Sequence, residues 1–219
     1  MGGIFILSFV VQNSLKSKMN KYSKIGLQSG LRGCDVAQLM LRQNGITDVT
    51  VTSTRGQLTD HFNPSNKTVN LSDVVYNVNS VAAAAIAAHE CGHAVQHHVG
   101  YSMIKLRTAL VPIVSFASNI VQWVLLAGVV LIQMSVLPLY IGIALFALTV
   151  LFSFVTLPVE IDASRRAIQW LETSGITQGE TTAQAKDALK AAAYTYVVAA
   201  VGSLATLLYY VAMAFGSRR

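Results

Sequence analysis

The sequence is short of charge. Only 12% of its 219 residues are Asp, Glu, Lys or Arg, whereas 53% are hydrophobic. A disordered chain has the opposite balance, and an ordinary soluble domain carries about twice this share of charged residues, so both classes are excluded. Residues 108–159 contain no Lys, Arg, His, Asp or Glu, and neither do residues 191–217. These two uncharged runs dominate the rest of the interpretation.

The uncharged runs predict a polytopic membrane protein. A transmembrane helix needs about 20 apolar residues, so the first run has room for two spans and the second for one. The first pair is predicted at Leu110–Met134 and Leu139–Leu157, joined by a turn at Ser135–Pro138, and the third span at Tyr194–Phe215. Polar residues inside the first span are expected to face neighbouring helices, where they find hydrogen-bond partners that lipid lacks. They are Ser115, Ser118, Asn119, Gln122 and Gln133.

The amino terminus carries a shorter apolar segment, Gly2–Val11. As a helix it would measure about 15 Å, too short to cross about 30 Å of hydrocarbon. No basic residue precedes it and no small-residue cleavage pattern follows it, so a secretory signal is not predicted. We therefore expect residues 1–15 to form a short anchor at the interface or a partial span.

Cysteine is nearly absent, and the excess of positive charge has a simple explanation. With only Cys34 and Cys91 in the chain, no disulfide framework is predicted. The net charge of +6 does not coincide with any nucleic-acid module, so no nucleic-acid partner is expected. Lys and Arg are concentrated in residues 12–108, while the Ser135–Pro138 turn has none. The positive-inside rule then places the polar regions in the cytoplasm of a multi-pass protein of the cell membrane.

The polar regions predict a mainly α-helical fold with a small β-sheet. Residues 16–108 are expected to form an α+β region, residues 109–157 a two-span hairpin, residues 158–190 a second cytoplasmic helical region, and residues 191–217 the last span. Within the α+β region, an amphipathic pattern predicts a helix at Cys34–Gln43. Strands are predicted at 48–52, 58–62 and 68–72, the last two forming a hairpin. Asn79 or Ser80 is expected to cap a long helix that starts in an Ala-rich run.

That long helix contains an H-E-x-x-H motif, His89-Glu90-Cys91-Gly92-His93. Residues four apart lie on one helical face, so His89 and His93 can offer two imidazole nitrogens to one metal ion. Glu90 then stands beside the open coordination position, where it can take a proton from a water activated by the metal. Gly92 costs helix stability, which a close approach of another element would explain.

A hydrolytic zinc site needs a third protein ligand. His97 continues the stripe, but three successive helical turns span about 12 Å, too far for one tetrahedral ion. His98 points to another face and His61 lies in the hairpin, so solvated roles are expected for both. Glu160 is the better candidate, because the two-span hairpin returns the chain to the side of the H-E-x-x-H helix. It is predicted to open a new helix after Leu157-Pro158-Val159.

The chain resembles the membrane zinc metallopeptidases of the YugP type, which share their plan with HtpX-like proteases. Three segments carry the resemblance: residues 58–62 with Val75-Tyr76-Asn77, residues 87–96 around the H-E-x-x-H motif, and residues 157–167 around Glu160. It implies that His89, His93 and Glu160 bind one Zn²⁺ and that Glu90 is the catalytic base. HtpX-like proteases usually carry Asp four residues after the ligand Glu, where Ser164 stands here; Ser164 shares a helical face with Glu160 and could hydrogen-bond a ligand His instead. The family would also be expected to have a fuller amino-terminal span.

The resulting hypothesis is a membrane-embedded zinc endopeptidase with a cytoplasmic, zincin-like H-E-x-x-H domain. Its partners would be the bilayer and peptide or protein substrates, membrane proteins among them. The β-hairpin formed by strands 58–62 and 68–72 could offer an edge to an extended substrate. Tyr76, His98 and Arg165 are chemically able to stabilise the oxyanion, and spacing favours none of them. Two alternatives stay open: a catalytically inactive zinc-binding scaffold or adaptor, and a site-2-type intramembrane protease. The sequence leaves the oligomeric state and the natural substrate open.

Overall fold

The structure is a computed structural model that describes residues 2–216. This part of the chain forms two helices, then three strands, then five further helices. The helices are α1 (Gly2–Tyr22), α2 (Gly33–Gln43), α3 (Asp73–Tyr76), α4 (Val81–His98), α5 (Ser102–Val130), α6 (Leu137–Thr173) and α7 (Glu180–Gly216). The strands are β1 (Thr50–Thr54), β2 (His61–Asn63) and β3 (Thr68–Ser72). The fold is mainly helical with one small sheet, as predicted.

The sheet has three strands in the order β1-β3-β2. The antiparallel β2–β3 pair confirms the predicted hairpin, and β1 adds to the other side of β3 in parallel. The strand predicted at 58–62 begins only at His61, because Leu58 adopts a left-handed backbone with φ of 58° and belongs to a turn. As a result, β2 is a short edge strand.

Helices α2, α3 and α4 and the three-stranded sheet form one unit, here called the polar domain, and α4 lies at its centre. The Ser80 hydroxyl caps it by accepting a hydrogen bond from the Ala83 backbone N–H at 3.1 Å, as expected of this residue type. The Ala-rich start of α4 is buried, and α2 packs along it. The Cys91 thiol donates to the Ala37 carbonyl of α2 at 3.5 Å. Both cysteines are free and buried, in line with the predicted absence of a disulfide framework.

Helices α5, α6 and α7 are long and apolar enough to cross a membrane, and no other helix of residues 2–216 meets that measure. Helix α6 packs against both α5 and α7. The prediction of a helix break at Pro158 is wrong, since α6 runs unbroken from Leu137 to Thr173. Proline removes one backbone hydrogen bond, a loss that packed helices tolerate. Glu160 therefore lies inside a continuous helix instead of at a helix start.

The amino-terminal segment belongs to a longer helix than its apolar stretch suggests. Helix α1 continues through the lysines to Tyr22 and packs along α7. The Lys18 ammonium group lies 2.6 Å from one Asp187 carboxylate oxygen, and the Tyr22 hydroxyl donates to the other at 2.7 Å. These two bonds fix the end of α1 to α7 beside the polar domain.

A close crossing of α4 and α6 sets the position of the candidate site. A Cβ atom added to Gly92 would lie 2.6 Å from the Ala163 carbonyl oxygen, which is too close for any residue with a side chain. The expected reason for this glycine is therefore confirmed. Because α4 and α6 touch backbone to backbone, side chains on their facing surfaces can share one small pocket.

Candidate metal centre

Three side chains meet where α4 crosses α6: His89, His93 and Glu160. One ligand atom from each lies within 4.8 Å of the others. Glu160 Oε2 is 3.3 Å from His89 Nε2 and 3.6 Å from His93 Nε2. Three donors placed 2.0–2.1 Å from one tetrahedral zinc ion would lie about 3.3 Å apart, so the cluster has the size of a zinc site.

The hydrogen bonding of the cluster fits a metal as well. Glu160 is 3% exposed, and its Oε2 atom has no hydrogen-bond partner among the described residues. A buried carboxylate oxygen without a partner is costly unless a cation occupies the adjacent space. His89, His93 and Glu160 can therefore hold one ion and leave an open position, as the sequence predicts for a hydrolytic site.

Each imidazole is oriented through its other nitrogen. Ser164 Oγ lies 3.1 Å from His89 Nδ1, and Gln96 Oε1 lies 3.1 Å from His93 Nδ1. When each Nδ1 carries the proton and donates it, each Nε2 presents its lone pair toward Glu160. Ser164 thus lies within hydrogen-bond distance of His89, an interaction with a ligand histidine that the sequence analysis had considered.

Gln96 is a site residue that the sequence analysis missed. It is fully buried, and its amide nitrogen donates to the Val159 carbonyl at 2.8 Å and to Asp162 at 3.0 Å. Asp162 in turn pairs with Arg165 and Arg166. The signal was present, because a residue three positions after His93 lies on nearly the same face of the helix. Gln96 connects the second histidine to the helix that carries Glu160.

Glu90 lies beside the cluster and outside its set of ligands. The side chain is buried, and Oε2 accepts a hydrogen bond from the Phe62 backbone N–H of β2 at 3.1 Å. That N–H therefore points away from β3 and toward the site. The outer edge of β2 and the Glu90 carboxylate face each other, so a strand added there would run past Glu90.

Two polar groups from the long helices flank Glu160, and neither was among the expected oxyanion donors. Arg107 of α5 places its guanidinium 3.5 Å from Glu160 Oε1. Tyr196 of α7 lies close enough to Glu160 and Glu90 for both carboxylates to act electrostatically on its hydroxyl. Both residues are remote from Glu160 in sequence, so only the packing of α5 and α7 on α6 reveals them.

The remaining candidates lie elsewhere. The side chains of His61, His97 and His98 are exposed, and the His97 ring makes an edge contact with Phe62. Arg165 is engaged with Asp162, and Tyr76 packs against the hydrophobic core. None of them contacts the three clustered side chains within the part of the chain that is described.

The electrostatics of the pocket favour a cation. Burial opposes protonation of His93, but the nearby carboxylates of Glu160 and Glu90 outweigh burial and raise the pKa of His93. A metal dication would supply the positive charge that these carboxylates attract. Burial also raises the pKa of the neighbouring Cys91 thiol, which donates to the Ala37 carbonyl of α2.

Replacing the buried amide tests the orienting role of Gln96. We expect Gln96→Leu to weaken zinc binding by roughly 10–100-fold, because His93 Nδ1 loses the acceptor that fixes its ring. Zinc affinity is measured by competition with a coloured chelator, and thermal unfolding is measured beside it. The matched control is Gln169→Leu, an exposed amide on α6. An unchanged zinc affinity in a folded Gln96→Leu protein would contradict the role.

Comparison with known proteins agrees with this geometry. The family model described as "Putative neutral zinc metallopeptidase" matches residues 1–215. The protein from Bacillus subtilis (strain 168) named "Putative membrane protease YugP" is 41% identical over 212 residues, which cover 97% of this chain and 93% of that protein. No solved structure matches the chain. Because the family model covers nearly the whole chain and the 41% identity extends over 97% of it, the chain belongs to the YugP-type family of zinc metallopeptidases.

Proposed function

We propose that the protein is a membrane-embedded zinc endopeptidase. The observation that carries this proposal is Glu90, a buried carboxylate that contributes no atom to the candidate metal cluster yet lies beside it at a strand edge. A protein that only stored zinc would not need such a group. A bound zinc ion would acidify water and polarise the scissile carbonyl.

The residues around the cluster suggest how the chain would divide the work. Glu90 takes the proton from the attacking water and passes it to the leaving amine. The outer edge of β2, where the Phe62 N–H donates to Glu90, holds the extended substrate beside that carboxylate. Arg107 and Tyr196 flank Glu160, and we assign to them the stabilisation of negative charge on the carbonyl oxygen. Ser164 and Gln96 keep the two imidazoles aligned.

The surroundings support a site at the membrane surface. Glu160 follows the apolar part of α6, while α4 is a buried helix of the polar domain and is not long and apolar enough to be a span. We therefore favour cleavage at the cytoplasmic surface over the site-2-type alternative, with the excess of Lys and Arg supporting that orientation. The substrates would be peptides or proteins, including membrane proteins whose cleavage sites lie near the bilayer.

Hydrolysis by the purified protein tests the proposal. The full chain, solubilised in detergent, is expected to cleave unfolded casein when loaded with Zn²⁺, to lose activity after treatment with 1,10-phenanthroline, and to regain it when Zn²⁺ is added. Zinc binding without cleavage of casein or of membrane-protein extracts would favour the scaffold alternative. Cysteine accessibility at the exposed position 66, in the turn between β2 and β3, checks the orientation in sealed vesicles.

The oxyanion assignment predicts a kinetic defect. Tyr196→Phe keeps the ring and removes only the hydroxyl, so we expect kcat to fall by about 100-fold while KM and zinc content stay near the wild-type values. Tyr194→Phe is the matched control, because Tyr194 lies on the same helix and is half exposed. A defect confined to KM, or equal defects in both variants, would remove Tyr196 from this role.

A further inference from the structure

A polar stripe runs along the outer surface of α5. It consists of Ser115, Ser118, Asn119 and Gln122, whose spacing of three and four residues places them on one helical face. All four side chains are exposed, and none has a hydrogen-bond partner among residues 2–216. We expected these residues to face neighbouring helices, and no helix of residues 2–216 buries them. In the apolar part of a membrane helix, such groups favour association with another helix that can hydrogen-bond them.

The depth of the stripe restricts what could supply those partners. Ser115 to Gln122 follow Arg107 by 8 to 15 residues, which corresponds to about 12–22 Å along the helix axis. A lipid headgroup stays at the surface of a hydrocarbon layer about 30 Å thick and does not reach this depth. A membrane-spanning helix with its own hydrogen-bonding side chains does reach it. The stripe therefore fits a transmembrane helix as its occupant.

A groove beside the stripe offers room for the side chains of such a helix. It has a volume of about 280 Å³, and it is lined by Val111, Val114, Ser115, Ser118 and Asn119 of α5 and by Phe152 of α6. That volume accommodates one or two protruding side chains and is far too small for a helix backbone. A docked helix would lie on the surface of α5 and insert side chains between α5 and α6.

The groove leads toward the metal cluster. Arg107, Val111 and Ser115 follow one another at intervals of four residues on α5, and Phe152, Thr156 and Glu160 do the same on α6. At the end of these two rows, the Arg107 guanidinium lies 3.5 Å from Glu160 Oε1. A helix docked along the groove would direct the segment that leaves the membrane to the cluster.

We propose that the Ser115–Gln122 stripe and the adjoining groove dock the transmembrane helix of the substrate. The inference rests on the proposed function, and it narrows the substrate class to membrane proteins whose spanning helix carries a polar side chain near its middle. Docking holds the substrate so that the juxtamembrane segment reaches Glu90 and the edge of β2. Selection then depends on hydrogen bonds inside the bilayer as well as on the sequence at the cleavage site.

The test measures binding of a defined helix in phosphatidylcholine vesicles. The probe is a labelled peptide of about 20 Leu and Ala residues with two central Asn residues, compared with the same peptide carrying Leu there. The receptor is the labelled full-length Glu90→Gln protein, which separates binding from cleavage. We expect the Asn peptide to bind about three- to tenfold more tightly than the Leu peptide, as measured by energy transfer.

Variants locate the binding surface. Combining Ser115→Ala, Ser118→Ala, Asn119→Leu and Gln122→Leu is expected to abolish the preference for the Asn peptide. The control is Gln133→Leu, which removes an exposed amide outside the groove and should leave the preference intact. Equal binding of the two peptides, or a preference that survives the fourfold change, would overturn the proposal.

Self-association is measured in the same vesicles, since a second copy of the chain could also cover the stripe. Energy transfer between wild-type molecules that disappears in the fourfold variant would assign the stripe to an interface between copies and overturn docking of substrate. Hydrolysis of casein by the wild type is followed separately. Hydrolysis without a peptide preference defeats only this inference, whereas a peptide preference without any hydrolysis defeats the proposed function.

Discussion

The Glu90→Gln variant should bind zinc as tightly as the wild type and cleave substrate about 100- to 10,000-fold more slowly. The amide keeps the shape of the side chain and can still accept the hydrogen bond from Phe62 N–H. It cannot take up a proton at neutral pH, so the general base is lost while the three candidate ligands stay in place. The rate of casein cleavage and the zinc content of the same preparation together provide the measurement.

The control for this result is Glu180→Gln, which removes an exposed carboxylate at the start of α7. It should leave both turnover and zinc content unchanged. Residual cleavage within about tenfold of the wild-type rate in Glu90→Gln would show that another group accepts the proton. The role proposed for Glu90 would then be abandoned, while the zinc site itself would stand.

Glu160→Gln should lose zinc. The carboxylate provides the only negatively charged atom among the three candidate ligands, and its Oε2 atom faces both imidazole nitrogens without a hydrogen bond of its own. A neutral amide oxygen binds Zn²⁺ much more weakly than a carboxylate. We expect about one zinc per wild-type chain after washing with a weak chelator and little or none in the variant, measured by mass spectrometry of the purified proteins.

Two comparisons make the loss interpretable. Glu172→Gln changes an exposed carboxylate on the same helix and should retain the metal. Because the substitution removes a buried charge, thermal unfolding of the metal-free proteins shows whether the variant folds. A folded Glu160→Gln protein that keeps one zinc ion through the wash would require a different third ligand.

Local patterns in the sequence were enough to predict the helix that carries the histidines. An Ala-rich run after a capping Ser has a strong helical preference, and a spacing of four places His89 and His93 on one face. Gly92 also indicated its own environment, since a glycine inside such a helix is costly unless another backbone approaches it. The structure shows that approach at Ala163.

The same local logic was wrong about Pro158 and about strand 58–62. A proline after an apolar run usually marks a helix end, but α6 packs on α5 and α7 and continues as a helix through Pro158. Alternation of side chains favours a strand at Leu58, yet the backbone there turns into the left-handed region. The turn at Leu58 is held by local hydrogen bonds, such as that from the Thr59 hydroxyl to the Arg55 carbonyl, whereas α6 is supported by helices that come from elsewhere in the chain.

The sequence by itself determined the helical class, the three membrane-length segments, the two histidines and their neighbouring glutamate, because each depends on residue type and spacing along one element. Chain topology and the family resemblance already pointed to Glu160 and Ser164, and the tertiary structure supplied their distances to the histidines. Only the tertiary structure revealed that Gln96 orients His93 and that Arg107 and Tyr196 flank Glu160. These contacts cross between helices that lie far apart in the chain. Their geometry depends on how α4, α5 and α7 pack against α6, which no single segment encodes.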